Sequence, residues 1–119
     1  MDWFGLTAPI LQAPIGGAAS LAMVTAVGKA GGIGSLAMTW TEKEAGLEMV
    51  RALDRARVPF FLNFVLRFGA ERPLWYCGGA APAVTFSWGI DARLIAAFKA
   101  ARHRVGVQVG SVGGAREAI

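Results

Sequence analysis

Two stretches decide how this chain is read: Gln12-Ala13-Pro14-Ile15-Gly16-Gly17 and, after a run of small residues, Ala30-Gly31-Gly32-Ile33-Gly34-Ser35. Together they read as strand, glycine loop, helix, glycine turn, strand. Residues 9–13 are a short apolar run and a candidate first strand. Ser20 to Ala30 carries Leu21, Val24 and Val27 at helical spacing, and Gly31 is the residue type that ends a helix in a left-handed turn. Residues 33–37 are then a second strand.

Working outward, Thr41-Glu42-Lys43-Glu44 has the form of a capping box, in which hydroxyl and carboxylate each satisfy a free backbone donor. The helix it predicts runs to about Arg57, with Leu47, Val50, Leu53 and Ala56 as its buried stripe. Pro59 marks the break, and Phe60 to Leu66 has the aromatic and branched residues of a third strand. Glu71 to Cys77 is a short helix with Pro73 tolerated in its first turn. Ala83 to Ser87 is a fourth strand. Asp91 caps a helix lined by Leu94, Phe98 and Ala101. Val105 to Val109 is a fifth strand, and Gly113 to Ile119 begins another helix.

Strands separated by helices of this length pair in parallel through right-handed crossovers. The fold class is α/β. Five such units suit a small doubly wound sheet, or the N-terminal five strands of a TIM barrel of about 250 residues, left incomplete here. The pattern of strands and helices is equally compatible with both.

Composition agrees. The chain is 55% hydrophobic and 17% charged, which suits strands covered on both faces. The uncharged stretch from Trp3 to Gly28 contains Pro9, Pro14, Gly16 and Gly17, which break a membrane-spanning helix. Asp2 argues against the basic start of a secretory leader. The net charge of +4 comes from cations dispersed late in helices, Arg51, Arg55 and Arg57 in one and Lys99, Arg102 and Arg104 in another, where they complement the helix dipole. That pattern argues against a nucleic-acid partner. One cysteine, Cys77, gives neither an internal disulfide nor a metal-ligand spacing, and points to a reducing, cytoplasmic setting.

Few residues carry chemistry. Gly28, Gly31, Gly32 and Gly34 follow a helix and enter a strand, the reverse of a dinucleotide fingerprint. Gly16-Gly17 lies after a strand and before a helix, as a cofactor loop or as a plain tight turn. Asn63 is polar inside an intensely apolar run. It is either a ligand for a heterocycle edge or a buried amide satisfied by nearby backbone. Gln108, flanked by Val107 and Val109, is the matching case on the fifth strand. His103 reads as a solvated cation at a helix C-terminus, Cys77 as packing, and Trp88 as either a pocket wall or an ordinary aromatic. No catalytic triad, paired carboxylate, phosphate loop or metal cluster is visible.

The series Gln12 to Gly17, Ala30 to Ser35, Pro59 to Asn63, Val84 to Gly89 and Val105 to Ser111, followed by Gly114-Ala115-Arg116-Glu117-Ala118, resembles the nitronate monooxygenase family, formerly 2-nitropropane dioxygenases. Flavin-dependent enoyl reductases share the first two motifs. The resemblance implies an FMN-containing TIM barrel that oxidises alkyl nitronates with dioxygen, and with it the expectation that residues 1–119 are a single partial (β/α)8-barrel domain, truncated at the C-terminus. It implies that Pro14, Ile15 and Gly16 lie against the flavin through their backbone, that Asn63 hydrogen-bonds it, and that Gln108 contacts it where similar enzymes often have Lys. The family's catalytic histidine belongs to a Gly-His motif after the strand that would follow Ile119, so no catalytic residue is assigned here. The expectation is an N-terminal part of such an enzyme, inactive alone and weak in FMN binding, with a small nitronate or similar carbanion and dioxygen as the full enzyme's partners. The rival is a non-catalytic half-barrel, a flavin-binding or self-associating module that closes as a homo-oligomer, because five parallel strands leave an open edge.

Overall fold

The computed structural model describes residues 4–119; Met1, Asp2 and Trp3, and with them the argument from Asp2, lie outside the described residues. The sheet is organised by alternation. β1 (Gly34–Ala37), β2 (Phe60–Val65), β3 (Ala83–Ser87) and β4 (Arg104–Val107) are all parallel and lie in the order β1-β2-β3-β4. Consecutive order without reversal is the order of a barrel wall; a doubly wound sheet needs a switch point.

One set of alternating side chains faces the helices. Leu36, Phe60, Leu62, Phe64, Val84 and Phe86 form a single core with Val24 of α1 (Leu21–Lys29), Val50 and Leu53 of α2 (Lys43–Ala56) and Leu94 and Phe98 of α3 (Ala92–Ala100). Burying each such side chain contributes about 2 kcal/mol. The other set faces the concave side. It runs from Ile33, Phe61 and Ala83 near the strand starts, packed with Phe4 and Leu6, up to Asn63, Thr85 and Ser87. A short helix, α4 (Val112–Glu117), follows β4 and is capped by Ser111, whose Oγ accepts from Gly114 N at 3.0 Å.

Several sequence expectations are corrected. The first strand, residues 9–13, is reduced to one parallel bridge between Leu11 and Ile33. Pro9 and Pro14 bracket the run and supply no N–H to a longer ladder. The sheet therefore has four full strands where five were expected. The capping box does not form: Glu42 is the N-cap of α2 without a side-chain bond, and the Thr41 hydroxyl turns back to Ala37 O at 3.4 Å. Ala56 and Ala101 are exposed, so the buried stripes end at Leu53 and Phe98. Arg104 opens β4 and does not lie in the preceding helix.

His103 is the largest departure. It is buried, with Nδ1 2.6 Å from Ala81 O and Nε2 2.7 Å from Cys77 O, and its ring meets Phe98 edge-on at 5.1 Å. It ties the Cys77–Ala81 turn to the entry of β4, where a solvated cap was expected. Sequence alone could not reveal the two carbonyls that converge on it from 22 and 26 residues away.

Other expectations hold. Gly31 takes a φ of +91°, ending α1 as its position required. Pro73 sits in the first turn of a 3-10 helix, Arg72–Tyr76. Asp91 accepts from Arg93 N at 2.9 Å and from Leu94 N at 3.3 Å, capping α3. Gly46 is a close-approach position: a methyl there would collide with the Tyr76 hydroxyl and lie 2.8 Å from Met38 Cε. That hydroxyl is buried without a hydrogen-bond partner among the described residues, and burial pushes the Tyr76 phenol above its ordinary pKa.

Two stability predictions follow from these contacts. Gly46→Ala is expected to lower stability by about 1–3 kcal/mol through overpacking. Tyr76→Phe is expected to be neutral or stabilising, because it removes an unsatisfied hydroxyl, and to recover part of the Gly46→Ala loss in the double variant. Urea unfolding midpoints of the four proteins give the coupling. The backbone bond from Leu94, with the one from Arg93, holds the Asp91 carboxyl below its ordinary value. A depressed folded value means that its stabilisation is present above the unfolded pKa and is lost as pH falls through the folded one. Asp91→Ala is thus expected to cost about 1 kcal/mol at neutral pH, with the gap to wild type closing in acid, as read from melting curves across pH.

Candidate functional site

The C-terminal ends of the strands are where a parallel sheet of this order exposes backbone and loops to a ligand. The first loop is anchored by Gln12, whose N donates to Ile33 O at 3.0 Å. Its Oε1 accepts from Ser35 N at 3.0 Å, and its Nε2 donates to Ala13 O at 2.7 Å and to Ser35 O at 3.3 Å. Ser35 Oγ in turn donates to Gln12 O at 2.7 Å. A side chain thus continues the ladder that Pro14 would interrupt. Beyond it the chain turns: Ala18 N and Ala19 N both donate to Ile15 O, at 3.1 and 2.9 Å. Pro14 is half-buried, while Ile15 and Gly16 are exposed. A Cβ on Gly16 would lie 3.9 Å from the Trp40 ring, so this loop stands beside the exit of β1.

Asn63 lies on the concave face, opposite Ala37 on one side and Thr85 on the other. Its Nδ2 donates to Thr85 Oγ1 at 3.0 Å and reaches Thr85 O at 3.4 Å. Two acceptors on one side fix the amide, leaving Oδ1 as an acceptor with no intramolecular bond among the described residues. Thr39 is buried behind this row, and its Oγ1 accepts from Val65 N at 2.8 Å, joining the exits of β1 and β2.

Gln108 follows the last residue of β4, with its N donating to Phe86 O at 2.8 Å. Its side chain is exposed. The expectation of a buried amide inside the fifth strand is therefore corrected: the strand ends at Val107, and Gln108 bears no burial cost. By register it is on the concave face, one pleat beyond Gly106, which pairs with Thr85. Strand spacing and rise put its Cα about 12 Å from that of Asn63. It lines a cleft of about 430 Å³ with Trp88, Gly89, Ile90, Gly110 and Gly114.

Three large aromatics stand on the same rim. Trp40, Phe68 and Trp88 follow the ends of β1, β2 and β3, and their rings meet in sequence at 5.7 and 5.9 Å. Sequence reading picked out only Trp88; the missed signal is that Trp40 and Phe68 each come three residues after the last residue of a strand. A larger cleft, about 660 Å³, lies lower on the concave face and is lined by apolar residues including Leu6, Ile10, Ile33, Phe61 and Ala83. It offers no side chain suited to acid–base work. Among the described residues no group of three or more His, Cys, Asp or Glu is placed to hold a metal ion, and no helix is long and apolar enough to cross a membrane.

Comparison with known proteins bears on the resemblance. A nitronate monooxygenase of Pseudomonas aeruginosa is 35% identical over 85 residues, 71% of this chain and 22% of that protein. The resemblance to the nitronate monooxygenase family holds. The chain thus spans less than a quarter of the curated relative that it matches. Nitroalkane oxidase from Streptomyces ansochromogenes superimposes with a TM-score of 0.84 at 20% identity, over 96% of this chain and 44% of that one. FabK from Thermotoga maritima does so with a TM-score of 0.87 at 24% identity, over 98% of this chain and 38% of that one. These likenesses fix the fold as part of a TIM-barrel wall. No family model matches the chain.

Gln12→Leu is expected to cost about 1–3 kcal/mol, because it leaves Ser35 N unpaired in a buried position. It is also expected to raise amide exchange from residue 13 to residue 19 before it affects β2 and β3, which hydrogen-exchange mass spectrometry resolves.

Proposed function

We propose that the chain supplies one side of an FMN site in an oxidoreductase of the nitronate monooxygenase kind, which oxidises alkyl nitronates or similar small carbanions with dioxygen. The observation that supports this reading is that the Pro14–Gly16 loop, Asn63 and Gln108 all lie toward the C-terminal ends of the parallel strands, Asn63 within β2 and Gln108 just past β4, with the two amides on the concave face. The donor set suits a flavin ring: exposed backbone at a glycine without a Cβ, an unused acceptor on Asn63, and a neutral carboxamide on Gln108 spaced for a three-ring heterocycle. When bound, FMN supplies the electron transfer between carbanion and dioxygen.

The chain's own residues bind and orient. Gly16 lets a flat ring approach the peptide groups around it. Asn63, held by Thr85, would present Oδ1 to a ring N–H. Gln108 contributes a neutral donor, so it adds no positive charge beside a reduced ring. No residue here is assigned as base: His103 is committed to Ala81 O and Cys77 O at the start of β4, the opposite end from the rim. We infer that turnover requires residues beyond these 119, and that the chain is one partial barrel domain.

Titration of flavin fluorescence tests the reading. Wild type is expected to bind FMN weakly and to turn over no propyl nitronate. Gln108→Ala and Asn63→Ala are each expected to weaken binding roughly fivefold, about the worth of one hydrogen bond, in protein whose melting curve is intact. Absence of FMN binding, or variants indistinguishable from wild type, would overturn the site. Stoichiometric flavin with propyl nitronate turnover would overturn the need for further residues. A second reading, self-association as a half-barrel, is favoured by the open apolar cleft around Phe61 and Ile33. Light scattering that gives a discrete dimer supports it.

A further inference from the structure

The rim carries a feature that the flavin reading does not use. Trp40, Phe68 and Trp88 are 62%, 50% and 65% exposed, although aromatic side chains of this size usually bury most of their surface. They form one continuous row, with ring centroids at 5.7 and 5.9 Å and planes tilted by 40° and 49°. The row runs across the exits of three neighbouring strands and ends beside Gly16 at Trp40 and beside the Gln108 cleft at Trp88.

The row is also held in place. Below it, Thr39 Oγ1 accepts from Val65 N at 2.8 Å, and Arg72 Nη1 donates to Thr41 O at 3.3 Å, fixing the loops on which Trp40 and Phe68 stand. Trp88 has a φ of +56°, a left-handed conformation that an indole-bearing residue adopts only at a cost in backbone energy. A solvent-exposed ring on a left-handed residue, in contact with Phe68, points to a use for the ring's position.

We propose that Trp40, Phe68 and Trp88 form an aromatic wall that receives an aryl group of the substrate, so that the site takes aryl-bearing nitronates ahead of short alkyl ones. The inference rests on the flavin reading above for the identity of the reacting group, and on the row itself for the aryl group. The exposed surface of the three rings is on the order of 400 Å². That is about half of what each partner of a stable protein–protein interface buries, and is ample for one or two rings. Ring faces tilted against one another offer both stacked and edge-to-face contacts to an incoming ring. Both ring contacts of the row are aromatic on both sides, which suits a flat apolar group, and the neighbouring Arg72 guanidinium is engaged with Thr41 O.

The experiment compares phenylnitromethane nitronate with propyl nitronate by saturation-transfer NMR, using the 119-residue chain with and without FMN. The aryl compound is expected to bind roughly tenfold more tightly, and Trp40→Ala and Trp88→Ala are each expected to weaken it roughly fivefold, about the worth of an aromatic pair, with the propyl compound unmoved. The Trp40→Leu and Trp88→Leu variants, which keep apolar bulk, are expected to lose the same preference. FMN titration of the same variants separates the two claims. Loss of aryl preference with FMN binding retained supports the wall, whereas failure of wild type to bind FMN sinks the flavin reading while the aryl preference is still measured. Equal binding of the two nitronates, or an unchanged preference in the double Trp40→Ala/Trp88→Ala variant, would overturn the wall. So would a wild-type dimer that this double variant converts to monomer, because the row would then be a contact between copies.

Discussion

The parallel ladder from β1 to β4 is the constraint on which the remaining structure depends. Its register, with Ala37 opposite Asn63, Asn63 opposite Thr85 and Thr85 opposite Gly106, decides which side chains share a face. Because side chains alternate, a slip of one residue in β2 would send Asn63 into the helix-facing core and Leu62 into the concave face. Leu62, Phe64, Val84 and Phe86 oppose such a slip, since each is almost wholly buried against the helices. Apolar burial on one face thus fixes polar geometry on the other. Asn63 is located by its neighbours' packing before its own hydrogen bonds are counted.

Much of this order was legible in the sequence. Phe60 to Val65 announces a strand by composition, Asp91 announces a helix start by chemistry, and Gly31 announces a stop. These are local signals, each settled within one turn or one pleat. What was not legible is non-local. The Gln12–Ser35 lock joins residues 23 apart, and it is what turns a run bracketed by prolines into one bridge plus a side-chain extension of the ladder. His103 reads as a surface cation because it follows Arg102 at the C-terminus of a helix. Its true partners, two backbone carbonyls, have no sequence signature. Gln108 failed in the opposite direction: flanking valines suggested burial, yet the strand ends one residue earlier and the amide is exposed.

The candidate site divides in the same way. Gly16, Asn63 and Gln108 stand out in the sequence as a glycine or an amide among apolar neighbours, whereas Pro14 and Ile15 enter the candidate site only through the family resemblance. Their placement toward one end of the sheet follows from the parallel direction of the strands, together with the Leu11–Ile33 bridge that aligns the first loop with them. The aromatic row could not be read from composition, since Trp40, Phe68 and Trp88 are widely separated and become neighbours only when three strand exits line up. Each ring is common; the juxtaposition is a product of topology.

Trp88 bears on how this chain would respond to selection for robustness. A left-handed residue is the position at which glycine relieves backbone strain. A screen that rewards only thermal endurance would therefore favour Trp88→Gly and erase the indole at the end of the row. Resistance to heat and recognition at the rim pull on this one residue in opposite directions, so hardening the scaffold without regard to ligands would blunt its discrimination.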